Sequence, residues 1–82
     1  MFSKNAIVSP FHWISGEAPK APVRCTARVR YRQQEQLATA MMLEEGLRLD
    51  FDEPQRAITP GQAAVLYDGD VVLGGGPIAR EP

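Results

Sequence analysis

The chain has 82 residues, a net charge of −1, 44% hydrophobic and 23% charged residues. This length makes one small domain, the composition excludes a disordered polyelectrolyte, and the charge excludes a globally basic nucleic-acid binder while leaving room for a local basic patch. With Cys25 the only cysteine and His12 the only histidine, an intramolecular disulfide, a cysteine zinc cluster and a multi-histidine metal site are all excluded.

Residues 2 to 9, FSKNAIVS, read as a short strand ended by Pro10. HWISG and then GEAPKAPV follow, a loop marked by Gly16, Pro19 and Pro22. Residues 1–22 are therefore a leading strand with a Pro/Gly loop, and 23–82 form the body of the domain. That body opens on VRCTARVRYRQ, in which Arg24, Arg28, Arg30 and Arg32 occupy even positions. Period two is the spacing of a β-strand, so the arginines and Thr26 face one way while Cys25, Ala27, Val29 and Tyr31 face the other. The inward position makes Cys25 a small core residue rather than a nucleophile.

Gln34 to Glu45 contains good helix formers and no breaker, so a helix is open on propensity alone. The EEG that follows, and the alternation of LRLDFD, favour a hairpin with Leu37 to Leu43 as its first arm. Leu47, Leu49 and Phe51 then share one face, and Arg48, Asp50 and Asp52 the other. In ITPGQ the Pro60-Gly61 pair suits a type II turn. AAVLYDGDVVLGGG is a hairpin signal, with Asp68-Gly69 as the I′ turn. Gly74 to Gly76 allow a bend or a close backbone approach, and PIAREP trails out. Five to seven short strands and little helix predict an all-β fold, a small antiparallel β-barrel of about six strands whose closure removes exposed edges.

Little here forms a catalytic constellation. His12, beside Trp13, reads as a surface or packing residue. The three glycines lack the Lys-Ser/Thr and the helix that a phosphate-binding loop needs. Asp50, Asp52 and Glu53 allow either a divalent cation or, if their strand pairs near the arginine strand, ion pairs across the sheet. The arginine row thus has two readings: a solvated, partly paired face, or a surface for phosphate, where planar guanidinium forks with Tyr31 and Gln33 interleaved suit RNA. No run approaches the ~18 apolar residues of a membrane-spanning helix, and no signal peptide is visible, so a cytoplasmic protein is expected.

The joint pattern RCTARVRYRQ followed by FDEPQRAITPGQAAVLYDGDVVLGGGPI resembles the C-terminal domain of bacterial tRNA-specific 2-thiouridylases, and VSPFHWISGEAP resembles the family's lead into that domain. The resemblance covers nearly the whole chain. It implies a barrel of six or so antiparallel strands attached to an N-terminal catalytic domain, which holds ATP on an SGGVDS-type pyrophosphatase loop and replaces the 2-oxygen of the tRNA wobble uridine with sulfur delivered by a relay protein. Neither that loop nor the family's cysteine pair is present in these 82 residues, so the segment is expected to carry no catalytic residue and no cofactor, and to be part of a longer enzyme. What the resemblance carries over is tRNA contact by Arg30, Tyr31 and Gln62, with Arg28, Arg32 and Gln33 as weaker candidates. The stretch QQEQLATAMMLEE departs from the family pattern. A structural barrel packing on the catalytic domain, with little RNA contact, is the competing expectation.

Overall fold

A computed structural model of the chain describes residues 2–29, 34–56 and 58–80. They form seven strands: β1 (Phe2–Val8), β2 (His12–Trp13), β3 (Val23–Arg28), β4 (Gln36–Leu43), β5 (Gly46–Arg56), β6 (Ala63–Asp68) and β7 (Val71–Arg80). All pairings are antiparallel, in the order β1-β5-β4-β3-β6-β7, and β1 also pairs with β7. The sheet therefore closes on itself as a six-stranded barrel, with β2 as an extra strand on β7.

Alternation decides what fills the barrel. Cys25 and Ala27 on β3, Ala38 and Ala40 on β4, and Ala64 on β6 are buried, as are Leu47, Leu49 and Phe51 on β5, Leu66 on β6 and Ile78 on β7. Small side chains on one wall meet large ones on the other, which lets so narrow a barrel close without overpacking. The hairpin expected over residues 37–51 is present, with β4 and β5 joined at Glu44-Glu45 and Leu43 opposite Gly46.

Three local expectations are corrected. The PIAR segment does not trail out: β7 runs to Arg80, and Ile78 and Arg80 pair with β1 to close the barrel. The β6–β7 turn is centred on Gly69-Asp70, because Asp68 pairs with Val71. A register shift lies between Leu66 and Tyr67, and Gly69 takes the positive φ of 60°. HWISG begins with the short strand β2, which was not anticipated.

The three glycines mark a close backbone approach. β2 covers β7 at Gly74 and Gly75, and β1 takes over the same edge at Ile78. Between them the chain crosses so near β7 that a Cβ on Gly74 would collide with the His12 carbonyl oxygen, and one on Gly76 with that of Pro10. Phe11 then meets Trp13 edge to face, with ring centroids 4.8 Å apart. No helix among the described residues is long and apolar enough to cross a membrane.

Candidate nucleic-acid interface

The arginine strand divides its faces as its spacing requires. Cys25, Ala27 and Val29 are buried, while Arg24, Thr26 and Arg28 point outward. Arg24 donates two hydrogen bonds of 2.7 Å, one to each carboxylate oxygen of Asp52, and a third of 2.9 Å to the Thr39 hydroxyl. The acidic strand does not pair with β3 directly, since β4 lies between them, and the long arginine side chain spans that strand over Thr39. Its hydrogen bonds and charge hold the Asp52 carboxyl below the usual carboxylate range, and the same contacts raise Arg24 above its ordinary value.

Arg28 lies 3.7 Å from a Glu35 carboxylate oxygen, and its guanidinium carbon stands 5.7 Å from the centre of the Tyr67 ring. Thr26 donates to the other Glu35 oxygen. The Arg28 Nε is buried without a hydrogen-bond partner among the described residues. This described part of the arginine row is thus engaged with its own sheet, as the paired-face reading required. Arg30, Tyr31, Arg32 and Gln33 lie outside the described residues.

Gln62 belongs to the turn that joins β5 to β6. Gly61 has φ of 91°, and the Gln62 N–H donates to the Thr59 carbonyl at 3.3 Å, as expected of a type II turn. The Gln62 side-chain oxygen in turn accepts from the Thr59 N–H at 3.1 Å, so it closes the turn from the other side. Among the described residues the carboxamide nitrogen has no hydrogen-bond partner. Arg28 pairs with Val65 on β6, three residues from Gln62, so β3 leaves the sheet at the end of the barrel that carries this turn.

That end is electrically two-sided. Around the start of β4 and the far part of β5, a groove of about 450 Å³ is lined by Gln34, Glu35, Gln36, Leu37, Asp52 and Glu53, a surface of acids and amides. The β3–β6 side instead presents Arg28, Tyr67 and Gln62. Glu35 belongs to both, since it lines the groove and pairs with Arg28.

The remaining candidates have structural roles. Cys25 is buried, its thiol contacts the Ala38 carbonyl, and burial pushes its pKa up to about 11. His12 is exposed at β2, opposite Gly75. Asp50 accepts from Arg48 on its own strand, at 3.1 Å to each oxygen, and Arg80 meets Glu45 at 2.6 Å. No group of three or more His, Cys, Asp or Glu that could hold a metal is present among the described residues. Reading the sequence missed Tyr67 as part of this surface. The signal was its phase: it alternates with Leu66 and so shares the outward face of β6.

Comparison with known proteins identifies the family. The family described as "Aminomethyltransferase beta-barrel domain" matches residues 3–78. The chain is 49% identical over its full length to the tRNA-specific 2-thiouridylase MnmA of Pseudomonas putida strain GB-1, of which it covers 22%. It is 49% identical over 98% of its length to the protein of that name from Haemophilus influenzae, covering 21% of it, and 44% identical over 98% to that from Marinobacter nauticus, covering 20%. The chain thus spans about a fifth of the length of these relatives. It belongs to the aminomethyltransferase beta-barrel domain family, in the form that makes the C-terminal domain of tRNA-specific 2-thiouridylases.

Proposed function

We propose that this barrel is the tRNA-contacting domain of a 2-thiouridylase: it binds or positions tRNA, while a separate catalytic domain performs the ATP-dependent exchange of oxygen for sulfur at the wobble uridine. Arg30, Tyr31 and Gln62 form the contact, with Arg28, Arg32 and Gln33 beside them. Tyrosine near a strand end buries its ring and still presents its hydroxyl at the rim. The observation that carries the reading is where β3 ends: its last residue, Arg28, pairs with Val65, three residues from Gln62, so the chain enters RYRQ from the barrel end that carries the Gln62 turn.

The test is a two-dimensional NMR titration of the ¹⁵N-labelled chain with an anticodon stem-loop, at low and then moderate salt. Shifts at Arg30, Tyr31 and Gln62 that fade as salt rises are expected, because each phosphate contact releases counterions. A contact surface this small binds in the range of non-specific complexes, about 10⁻⁴–10⁻⁶ M. No shifts at millimolar RNA would overturn the reading.

A second reading has its own support. Trp13, Ile14, Pro19, Val71, Val72 and Leu73 line an apolar recess of about 300 Å³, and Ile14 and Val71 are more than 60% exposed. A barrel that packs on its catalytic domain through this patch, with little RNA contact, is the alternative. Val71→Asp would then loosen the domains of the full-length enzyme and leave RNA affinity unchanged.

A further inference from the structure

Leu37 on β4, Thr26 on β3 and Tyr67 on β6 pair in a single row across three adjacent strands, all on the outside of the barrel. Thr26, in the middle, is short, whereas Leu37 and Tyr67 are long. Neighbouring strands lie about 4.8 Å apart, which sets the two walls about 9.5 Å apart at their roots. One flat ring in contact with both walls fits that gap, since stacked carbon atoms sit about 3.5–4.0 Å apart. A recess of about 220 Å³ occupies this place, bounded also by Arg24, Asp68 and Gly69. Leu37 is 58% exposed, so one wall offers accessible apolar surface.

We propose that this slot takes a single unstacked nucleobase of RNA, with Tyr67 as its stacking platform, Leu37 as the opposite wall and the Asp68 carboxylate accepting from N–H groups on the base edge. The proposal rests on the reading of the barrel as an RNA-contacting domain and adds a site that the RYRQ and PGQ motifs do not include. Arg28 already makes a cation–π contact with that ring, its guanidinium carbon 5.7 Å from the centre. Arg24 and Arg28 flank Thr26 along the strand, but Asp52 and Glu35 already engage them. Phosphate therefore competes with carboxylates here. Affinity at the slot comes from stacking, not from counterion release, and it is far less sensitive to salt than contact through RYRQ.

The probe is a single-stranded hexacytidylate RNA, whose bases are unpaired and carry an amine on the exposed edge. In an NMR titration of the 82-residue protein, the amides of Thr26, Leu37 and Tyr67 are expected to shift together. Tyr67→Leu is expected to weaken binding about tenfold or more, Tyr67→Phe to bind within about twofold of the native protein, and the ratio between them to persist as salt rises. Equal binding by Tyr67→Leu and the native protein would overturn the slot, as would the absence of any shift at these three residues. The anticodon stem-loop titration is a separate readout. Shifts at Gln62 without shifts at Tyr67 remove the slot and leave the proposed function, whereas failure of the stem-loop to bind at all removes the reading on which both stand.

Discussion

Arg24 and Asp52 face each other across the full width of an intervening strand, joined by two hydrogen bonds of 2.7 Å. The two-pronged geometry is one that arginine makes and lysine does not. It ties β3 to β5 over the top of β4 and removes one cation from the surface offered to a ligand. The contact holds the Asp52 carboxyl below its ordinary range, so its contribution to stability is present above the unfolded carboxylate pKa and is lost as pH falls through the lower folded value. Thermal melts of the native protein and Asp52→Asn are therefore expected to differ slightly at neutral pH and to converge as pH falls through the lowered Asp52 value, beneath the ordinary carboxylate range. Both groups are exposed, so the difference is small and shrinks further in added salt.

The core is a stronger lever. Leu49 is fully buried at the middle of β5, opposite Ala40 on one side and Ala6 on the other. Its neighbours are too small to collapse into the space it leaves. Leu49→Ala is expected to cost about 2–5 kcal/mol, a large part of the roughly 5–15 kcal/mol that holds a small domain folded. Urea denaturation followed by the fluorescence of the single buried tryptophan, Trp13, reads this directly.

Gly74 and Gly76 test the backbone crossing at β7. Alanine at either position drives a methyl group into the carbonyl oxygen of His12 or Pro10, and backbone cannot swing aside as a side chain can. Gly75→Ala, whose added carbon would lie 3.0 Å from the Ala64 carbonyl oxygen, is milder. Loss of about 1–3 kcal/mol is expected at Gly74 and Gly76, with a smaller loss at Gly75. Denaturation midpoints of the three variants give that order, and equal midpoints would contradict the crossing.

The sequence made the barrel legible where one face of each strand is apolar and the other polar. Arg24 to Val29, and Leu47 to Asp52, declare their inward and outward faces by alternation alone. Turns were legible where a glycine at positive φ is required, as at Gly61. What alternation could not reveal is who neighbours whom. Asp52 was to face the arginines only if its strand paired near theirs; a whole strand separates the two, and the reach of the arginine side chain closes the gap. Nor could local pattern reveal that PIAR, which looks like a tail, supplies the closing contact with β1. That contact joins residues seventy or more positions apart, and no local rule records it. The RYRQ and PGQ candidates rest on family resemblance, and RYRQ lies outside the described residues, whereas Tyr67 came into view only when β6 was seen to lie beside β3.

Cys25 gives a second pH dependence of opposite sense. Burial raises the thiol to about 11 from its ordinary 9.0, so the neutral form favours the folded state. The resulting stability is complete below the ordinary thiol value and is lost as pH rises toward the folded one. Between about pH 9 and 11 the native protein is expected to lose melting temperature faster than Cys25→Ala. Alkylation by iodoacetamide at pH 8 is expected to be slow in the folded protein and fast in urea; fast labelling without denaturant would place the thiol at the surface.

Gln62 separates a role in folding from a role in binding. Its side-chain oxygen accepts from the Thr59 N–H and so helps to hold the turn. Gln62→Ala removes that acceptor, at an expected cost of about 0.5–1.5 kcal/mol, and any fall in RNA affinity would then have two explanations. Gln62→Glu keeps an acceptor at the same reach, so the turn and the melting temperature are expected to stay as they are. It also loses the carboxamide donors and sets a negative charge where a phosphate backbone is proposed to pass. The anticodon stem-loop should consequently bind Gln62→Glu several-fold more weakly at low salt, with the deficit narrowing as salt rises, because like-charge repulsion is screened. Unchanged affinity together with an unchanged melting temperature would place the RNA elsewhere on the barrel. A melting temperature that falls as far as in Gln62→Ala would show that the glutamine is held by more than its bond to Thr59.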